Sequence, residues 1–195
     1  MRAQADLAGT LCLPAGDCVT LRPVAPQDGS VLQAYVRALS LESRYDRFLG
    51  ALHELPPAEL ERVTHLDQEY ELALLAETRA RGAPLVVAEA RYAFSRDRRE
   101  CEFALSIADR WRGKGIGTLL VAELERRAGR LGARRLVGDV LRSNVPMKAL
   151  ARKAGFKMAD IPHDAKLVRI VKDLAPSLLA EIPSGHSVPD LPIAA

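Results

Sequence analysis

Apolar positions change their period several times along the first half of the chain. VTLRPV (19–24) alternates as a short strand would and is stopped by Pro23 and Pro26. Val31, Leu32, Tyr35, Val36 and Leu39 then recur at helical spacing, which predicts an amphipathic helix with Asp28 as its N-cap. A second helix is expected at LPPAELERV, with Pro56 or Pro57 in its first turn. YELALLAE (70–77) and LVVAEARYAF (85–94) read as strands joined into a hairpin through TRARGAP. The polar turn SRDRRE leads into a third strand, 100–108, in which Phe103, Leu105 and Ile107 alternate with Glu102, Ala104 and Ser106.

The second half is read in the same way. DRWRGKGIGTLL (109–120) places Gly113, Gly115 and Gly117 between that strand and a helix whose apolar face is Ile116, Leu119, Leu120, Leu124, Ala128 and Leu131. RRLVGDVL (134–141) is a further strand. Ser143 is the expected N-cap of a helix over NVPMKALARKA, which Gly155 ends, and 156–158 and LVRIVKDL (167–174) supply closing strands. This order predicts an α/β fold, a mixed twisted sheet with helices on both faces. Residues 1–17 read as a flexible lead-in and 18–174 as one domain. Prolines at 176, 183, 189 and 192 make 175–195 a Pro-rich tail.

Composition narrows the partners. A chain of 195 residues suits one domain, and a net charge of +3 spread along it favours an anionic ligand but gives no reason to expect nucleic acid. Cys12, Cys18 and Cys101 are odd in number and form no CxxC pair, so neither a disulfide framework nor a zinc site or other metal is expected, and a reducing compartment fits. Without an h-region or an apolar run of spanning length, a cytoplasmic protein with no membrane partner is expected.

Chemistry is concentrated at the glycine turn. The first amides of a helix have no intrahelical partner, and the macrodipole adds about half a positive charge there. Glycines let backbone approach an anion, and Arg110, Arg112 and Lys114 add charge, so the turn suits a phosphate; an ordinary tight turn with solvated basic residues is the plainer alternative. The P-loop pattern is absent. The dinucleotide pattern is met at Gly113 and Gly115 but has Thr118 at its last position, with Asp139 near the distance of a ribose-binding acid. The pattern R/Q-x-x-G-x-G/A is met by Arg112, Gly115 and Gly117. With SNVPMKALARKAGF, which keeps Asn144, Leu150, Lys153, Gly155 and Phe156 at the right spacing, residues 102–156 resemble the core of the GCN5-related N-acetyltransferases, the GNAT family.

That resemblance implies acetyl-coenzyme A as acyl donor. Its pyrophosphate would lie on Arg112, Gly113, Lys114, Gly115, Ile116, Gly117 and Thr118, its pantetheine along the backbone of Ser106 and Ile107, and its arm against Asn144. For Asn144, simple helix capping beside Ser143 is the alternative. An amine acceptor must be neutral to attack, yet a free lysine with a pKa of about 10.4 is unprotonated in roughly one molecule in 10³ at neutral pH. A general base is therefore useful, and Glu102, among the small residues of its strand face, is the candidate; the alternative is a structural glutamate paired with Arg91 or Arg99. Glu100 and Glu89 are weaker candidates. Where many relatives have a general-acid tyrosine, this chain has Ala151. SLESRYDRFLG (40–50) resembles the same segment of bacterial Pat-type protein-lysine acetyltransferases, which implies a protein lysine as acceptor and a groove shaped by Arg44, Tyr45, Arg47 and Phe48. A helix with Tyr45 and Phe48 packed inward is the alternative. A small-molecule amine, a peptide N-terminus, and a coenzyme A sensor without turnover also remain open.

Overall fold

The computed structural model describes residues 9–13, 16, 18–67, 70–80, 82–95, 97 and 99–175. The lead-in before residue 9 and the tail from residue 176 lie outside the described residues. In chain order the elements are β1 (Thr10–Cys12), β2 (Cys18–Pro23), α1 (Gly29–Ala38), α2 (Leu41–Phe48), α3 (Pro57–Thr64), β3 (Glu71–Ala80), β4 (Ala83–Phe94), β5 (Glu100–Ile107), α4 (Ile116–Arg130), β6 (Arg135–Leu141), α5 (Val145–Lys153), β7 (Lys157–Ile161) and β8 (Asp164–Asp173). The strands form one eight-stranded sheet in the order β1-β2-β3-β4-β5-β6-β8-β7. Its neighbours run antiparallel except β5 and β6.

Strand alternation assigns each face its layer. Leu72, Leu74 and Ala76 of β3, Tyr92 of β4 and Cys101 and Phe103 of β5 pack with Ile116, Leu120 and Leu124 of α4. Ala73 and Leu75 of β3 point the other way, against Leu32, Tyr35 and Val36 of α1 and Val63 of α3. Helices therefore cover both faces, as the order of elements predicts. No helix among the described residues is long and apolar enough to cross a membrane.

Four local expectations are corrected. Thr10–Cys12, read as lead-in, pair with β2, and that register sets Cys12 opposite Cys18 with their Cα atoms 4.0 Å apart, joined by a disulfide. The odd cysteine count concealed this pair, and the inference of a reducing compartment loses its support. Asp28 does not cap α1 with its side chain; it accepts from Arg22 Nη1 at 2.6 Å and from the backbone N of Ala25 at 2.7 Å. The N-cap of α5 is Asn144 and not Ser143, with Asn144 Oδ1 accepting from Met147 N at 2.9 Å. In α2, Ser43 and Arg47 face inward, while Tyr45 is 45% exposed and Phe48 only partly buried.

The inward turn of Arg47 has an electrostatic cause. Glu89 of β4 is fully buried on the face beneath α2 and receives Arg47 Nε at 3.2 Å and Arg91 Nε. Arg91 Nη1 also reaches Glu59 of α3 at 2.9 Å. The two guanidinium groups outweigh the cost of burial and hold the Glu89 carboxyl below its ordinary range. Removing the carboxylate would leave two buried cations facing each other. Glu89→Gln is thus expected to lower unfolding free energy by about 3–5 kcal/mol. Chemical denaturation measures this, and a loss under about 1 kcal/mol would show that the cluster does not hold α2 on the sheet.

Candidate active site

The turn before α4 is built by glycines with different tasks. Gly113 and Gly115 have φ of +74° and +89°, where an L side chain is strained. Gly115 is the N-cap of α4 and supplies no side-chain cap, and Leu119 is the residue whose amide bonds back to its carbonyl, at 3.1 Å. The amides of Ile116, Gly117 and Thr118 are thus orphan helix donors at the positive end of a 15-residue helix. Gly117 serves packing instead. A Cβ there would lie 2.9 Å from Leu150 Cδ2 and 3.2 Å from Ile107 Cδ1, so its absence lets α4 meet α5 and β5.

This turn opens into a cleft of about 320 Å³. Eight of the ten residues expected at the coenzyme line it: Ser106, Ile107, Arg112, Gly113, Gly115, Gly117, Thr118 and Asn144. Lys114 does not; its Nζ stands 4.7 Å from the Trp111 ring centroid. Ile116 is 1% exposed in the core and can serve only through its amide. Arg112 ties the turn to α2, donating from Nη2 to Ser43 Oγ at 2.7 Å, with Asp109 3.5 Å away. Lys153 and Met147 of α5 and Ser43, Asp46 and Arg47 of α2 complete the wall. The sequence reading missed Ser43 and Asp46. Their signal was the i, i+4 pair Ser43 and Arg47, two polar residues on what proves to be the inner face of α2.

The cleft continues through the sheet. β5 pairs with β6 at Glu100–Arg135, Cys101–Leu136 and Glu102–Val137, and beyond these pairs the strands part. Gly138 sits at the fork, where a Cβ would lie 2.9 Å from the carbonyl oxygen of Phe103. A second cavity, about 30 Å³, occupies the opening between Ala104 and Leu105 of β5 and Asp139 and Val140 of β6. Asp46, Arg47, Leu105, Asn144 and Met147 line both cavities. The opening therefore joins the face under α2 to the face under α4 and α5.

Glu102 stands at the last pair before the fork. It shares the α2 side of β5 with Ala104 and Ser106, as the alternation predicts, and faces Ala93 across β4. Neither expected arginine takes it. Arg91 is bound to Glu89 and Glu59, and Arg99 lies 3.9 Å from Asp97. Among the described residues Glu102 makes no hydrogen bond or ion pair. Burial, chiefly, and then Asp139 push its carboxyl above the ordinary range, with Arg169 acting in opposition. Asp139 is itself held by Arg169 at 2.7 and 2.8 Å.

The other candidates are committed elsewhere. Glu89 is locked between arginines, and Glu100 accepts from Arg135 Nη1 at 2.9 Å. Ala151 is 1% exposed and offers no hydroxyl. The Tyr35 hydroxyl is bonded to Ser106 Oγ at 2.9 Å, and burial raises its pKa, so it stays neutral.

A buried carboxylate without a cation penalises the folded state. Because the folded pKa of Glu102 lies above the unfolded value of about 4.3, the penalty grows as pH rises through the folded pKa and vanishes below the unfolded one. Glu102→Gln is thus expected to raise the thermal midpoint near pH 7.5 and to leave it unchanged near pH 4, within roughly a degree. Equal midpoints of variant and parent at both pH values would contradict this environment.

Comparison with known proteins agrees with this geometry. Residues 37–156 match the Acetyltransferase (GNAT) family. An acetyltransferase of Pseudomonas aeruginosa is 30% identical over 156 residues, 80% of this chain and 84% of that protein. The GNAT domain of S. lividans PAT superposes with a TM-score of 0.79 at 25% identity, covering 89% of this chain and all of that one. A GNAT superfamily phosphinothricin acetyltransferase from Sinorhizobium meliloti, solved with AcCoA, shares the fold with a TM-score of 0.65 at 22% identity, over 86% of this chain and 94% of that one. The family match over residues 37–156 and the 30% identical acetyltransferase, matched over 84% of its length, make this chain a member of the GNAT acetyltransferase family.

Proposed function

We propose that residues 18–174 bind acetyl-coenzyme A in the 320 Å³ cleft and transfer its acetyl group to a primary amine, with Glu102 as general base. The observation that carries this reading is the position of Glu102. A carboxylate without a partner among the described residues stands at the point where β5 loses its neighbour, beside the opening through the sheet. The unpaired edge of β5 at Ser106 and Ile107 suits the pantetheine amides, as a strand edge suits any extended chain. The amides of Ile116, Gly117 and Thr118 suit the pyrophosphate, with Arg112, Gly113 and Gly115 around it and Asn144 along the arm. Lys114 adds its charge from beside Trp111.

In the reaction the amine nitrogen attacks the thioester carbonyl while its proton passes to Glu102, directly or through one water. Collapse of the tetrahedral adduct forms the amide and expels the coenzyme A thiolate, which takes its proton from solvent in the absence of a hydroxyl at Ala151. A raised carboxyl pKa suits this role. It makes the carboxylate a stronger base toward the acceptor amine. A protein lysine is the favoured acceptor, on the likeness of residues 40–50 to Pat-type enzymes and of the whole fold to the S. lividans PAT domain. A small-molecule amine is the second reading, favoured by the phosphinothricin acetyltransferase likeness.

Thiol release from acetyl-coenzyme A, assayed with lysine peptides and free amines, tests the reading. Glu102→Gln is expected to lower kcat by about 10²–10⁴ with coenzyme affinity nearly unchanged, the deficit shrinking as pH approaches that of the free amine. Glu100→Gln is the matched control. Near-parental turnover by Glu102→Gln at neutral pH would make this glutamate structural. Tight coenzyme binding without any acetylated product would favour a sensor. At the turn, Gly115→Val is expected to abolish coenzyme A affinity through its φ of +89°, and the parent is expected to ignore NAD. Binding of NAD in place of coenzyme A would restore the dinucleotide reading.

A further inference from the structure

The walls of the opening between β5 and β6 carry more charge than the base alone requires. Arg47 is committed to Glu89, and Arg169 to Asp139. Among the described residues two carboxylates remain without a counter-ion. Glu102 lines neither cavity but stands at the last β5–β6 pair with Asp139 as its acidic neighbour, and Asp46 borders the opening from α2. Asp46 lines both the coenzyme cleft and the opening and makes no hydrogen bond or ion pair among the described residues. Arg112 acts on it only at a distance, being held by Ser43 and Asp109. Asp46 and Glu102 are also the acids, among the described residues, whose carboxyls are pushed above their ordinary range, each mainly by burial and secondarily by an acidic neighbour. Partly burying a charge without a partner is costly, and such a site is completed by a cation.

We propose that Asp46 is a substrate-binding residue that receives the acceptor as an ammonium ion, so that the enzyme takes cationic amines with no carboxylate or phosphinate beside the reacting nitrogen. This rests on the acetyl-transfer reading of the same cleft. The division of labour follows from position. Asp46, on the helix side, draws the charged amine to the opening, where the ammonium gives one proton to solvent; Glu102, on the strand at the fork, takes the second as the neutral nitrogen attacks. An α-amino acid would bring its carboxylate against both Asp46 and Glu102 and be repelled. A lysine side chain within a peptide brings positive charge alone. The two acceptor classes left open by fold and family are thereby separated by charge.

The test uses the full chain with Nα-acetyl-lysine amide as the cationic acceptor and phosphinothricin as the anionic one. Both are assayed for turnover at saturating acetyl-coenzyme A, and for binding to the coenzyme A-loaded protein by calorimetry. The parent is expected to prefer the lysine amide. Asp46→Asn is expected to raise its KM and Kd at least tenfold, about the strength of one charge-assisted hydrogen bond, with kcat within about threefold and acetyl-coenzyme A affinity unchanged. Asp46→Glu should recover most of the affinity. Glu61→Gln, an exposed acid of α3 that borders neither cavity, should change nothing. An unchanged KM and Kd in Asp46→Asn, or equal parental affinity for phosphinothricin, would overturn the assignment. The two claims part cleanly: if Glu102→Gln turns over normally while Asp46→Asn binds the amide weakly, the base is wrong and the acceptor site stands. If Glu102→Gln loses kcat while Asp46→Asn binds normally, the base stands and the acceptor site falls.

Discussion

Two parallel strands that pair for three residues and then separate create the site in this protein. Every other junction in the sheet is antiparallel, whereas β5 runs on past Glu102 with its β6-side edge unpaired. An unpaired edge is a liability in most sheets, since its amides and carbonyls must find partners. Here it borders a cleft and is met at its far end by the amides that start α4. Strand edge and helix end are the two places where regular structure leaves backbone groups free, and the turn Asp109–Gly115 brings them together. Gly138 shapes the fork from the β6 side, because any side chain there would press on the Phe103 carbonyl.

Charge on the α2 face follows the same economy of partners. Where an acid is buried for structure, it is surrounded: Glu89 has two arginines, and Asp139 has the whole fork of Arg169. Among the described residues Glu102, beside the fork, and Asp46, on the opening, have no hydrogen bond or ion pair, whereas Asp139, which also lines the opening, is held by Arg169. Glu89 holds Arg47 of α2 against the sheet; the unpaired acids lower the stability of the folded state, and in the proposed reaction they face the incoming amine.

Much of this is legible in the sequence because strand and helix periods differ. Alternation in CEFALSIA places Glu102 opposite the core face, and the helical spacing from Ile116 fixes where α4 begins. What escapes is whatever depends on a neighbour distant in the chain. The inner face of α2 follows from Glu89, more than forty residues away, and not from its own aromatic residues. Cys12 and Cys18 meet because a short strand pairs with β2, and three residues carry too little pattern to announce a strand. Gly117 resembles its neighbours in the motif, yet it is required by Leu150 of α5. Asp46 reads as an ordinary surface acid until the opening beside it is seen.

Hydrogen exchange of the backbone amides, with and without coenzyme A, bears most directly on the forked sheet as the coenzyme seat. Saturating coenzyme A should slow exchange at residues 103–107 of β5 and at 113–118 of the turn and first turn of α4, and leave β2 and β3 unchanged. Protection confined to other segments, or none along β5, would contradict a coenzyme lodged between the parted strands.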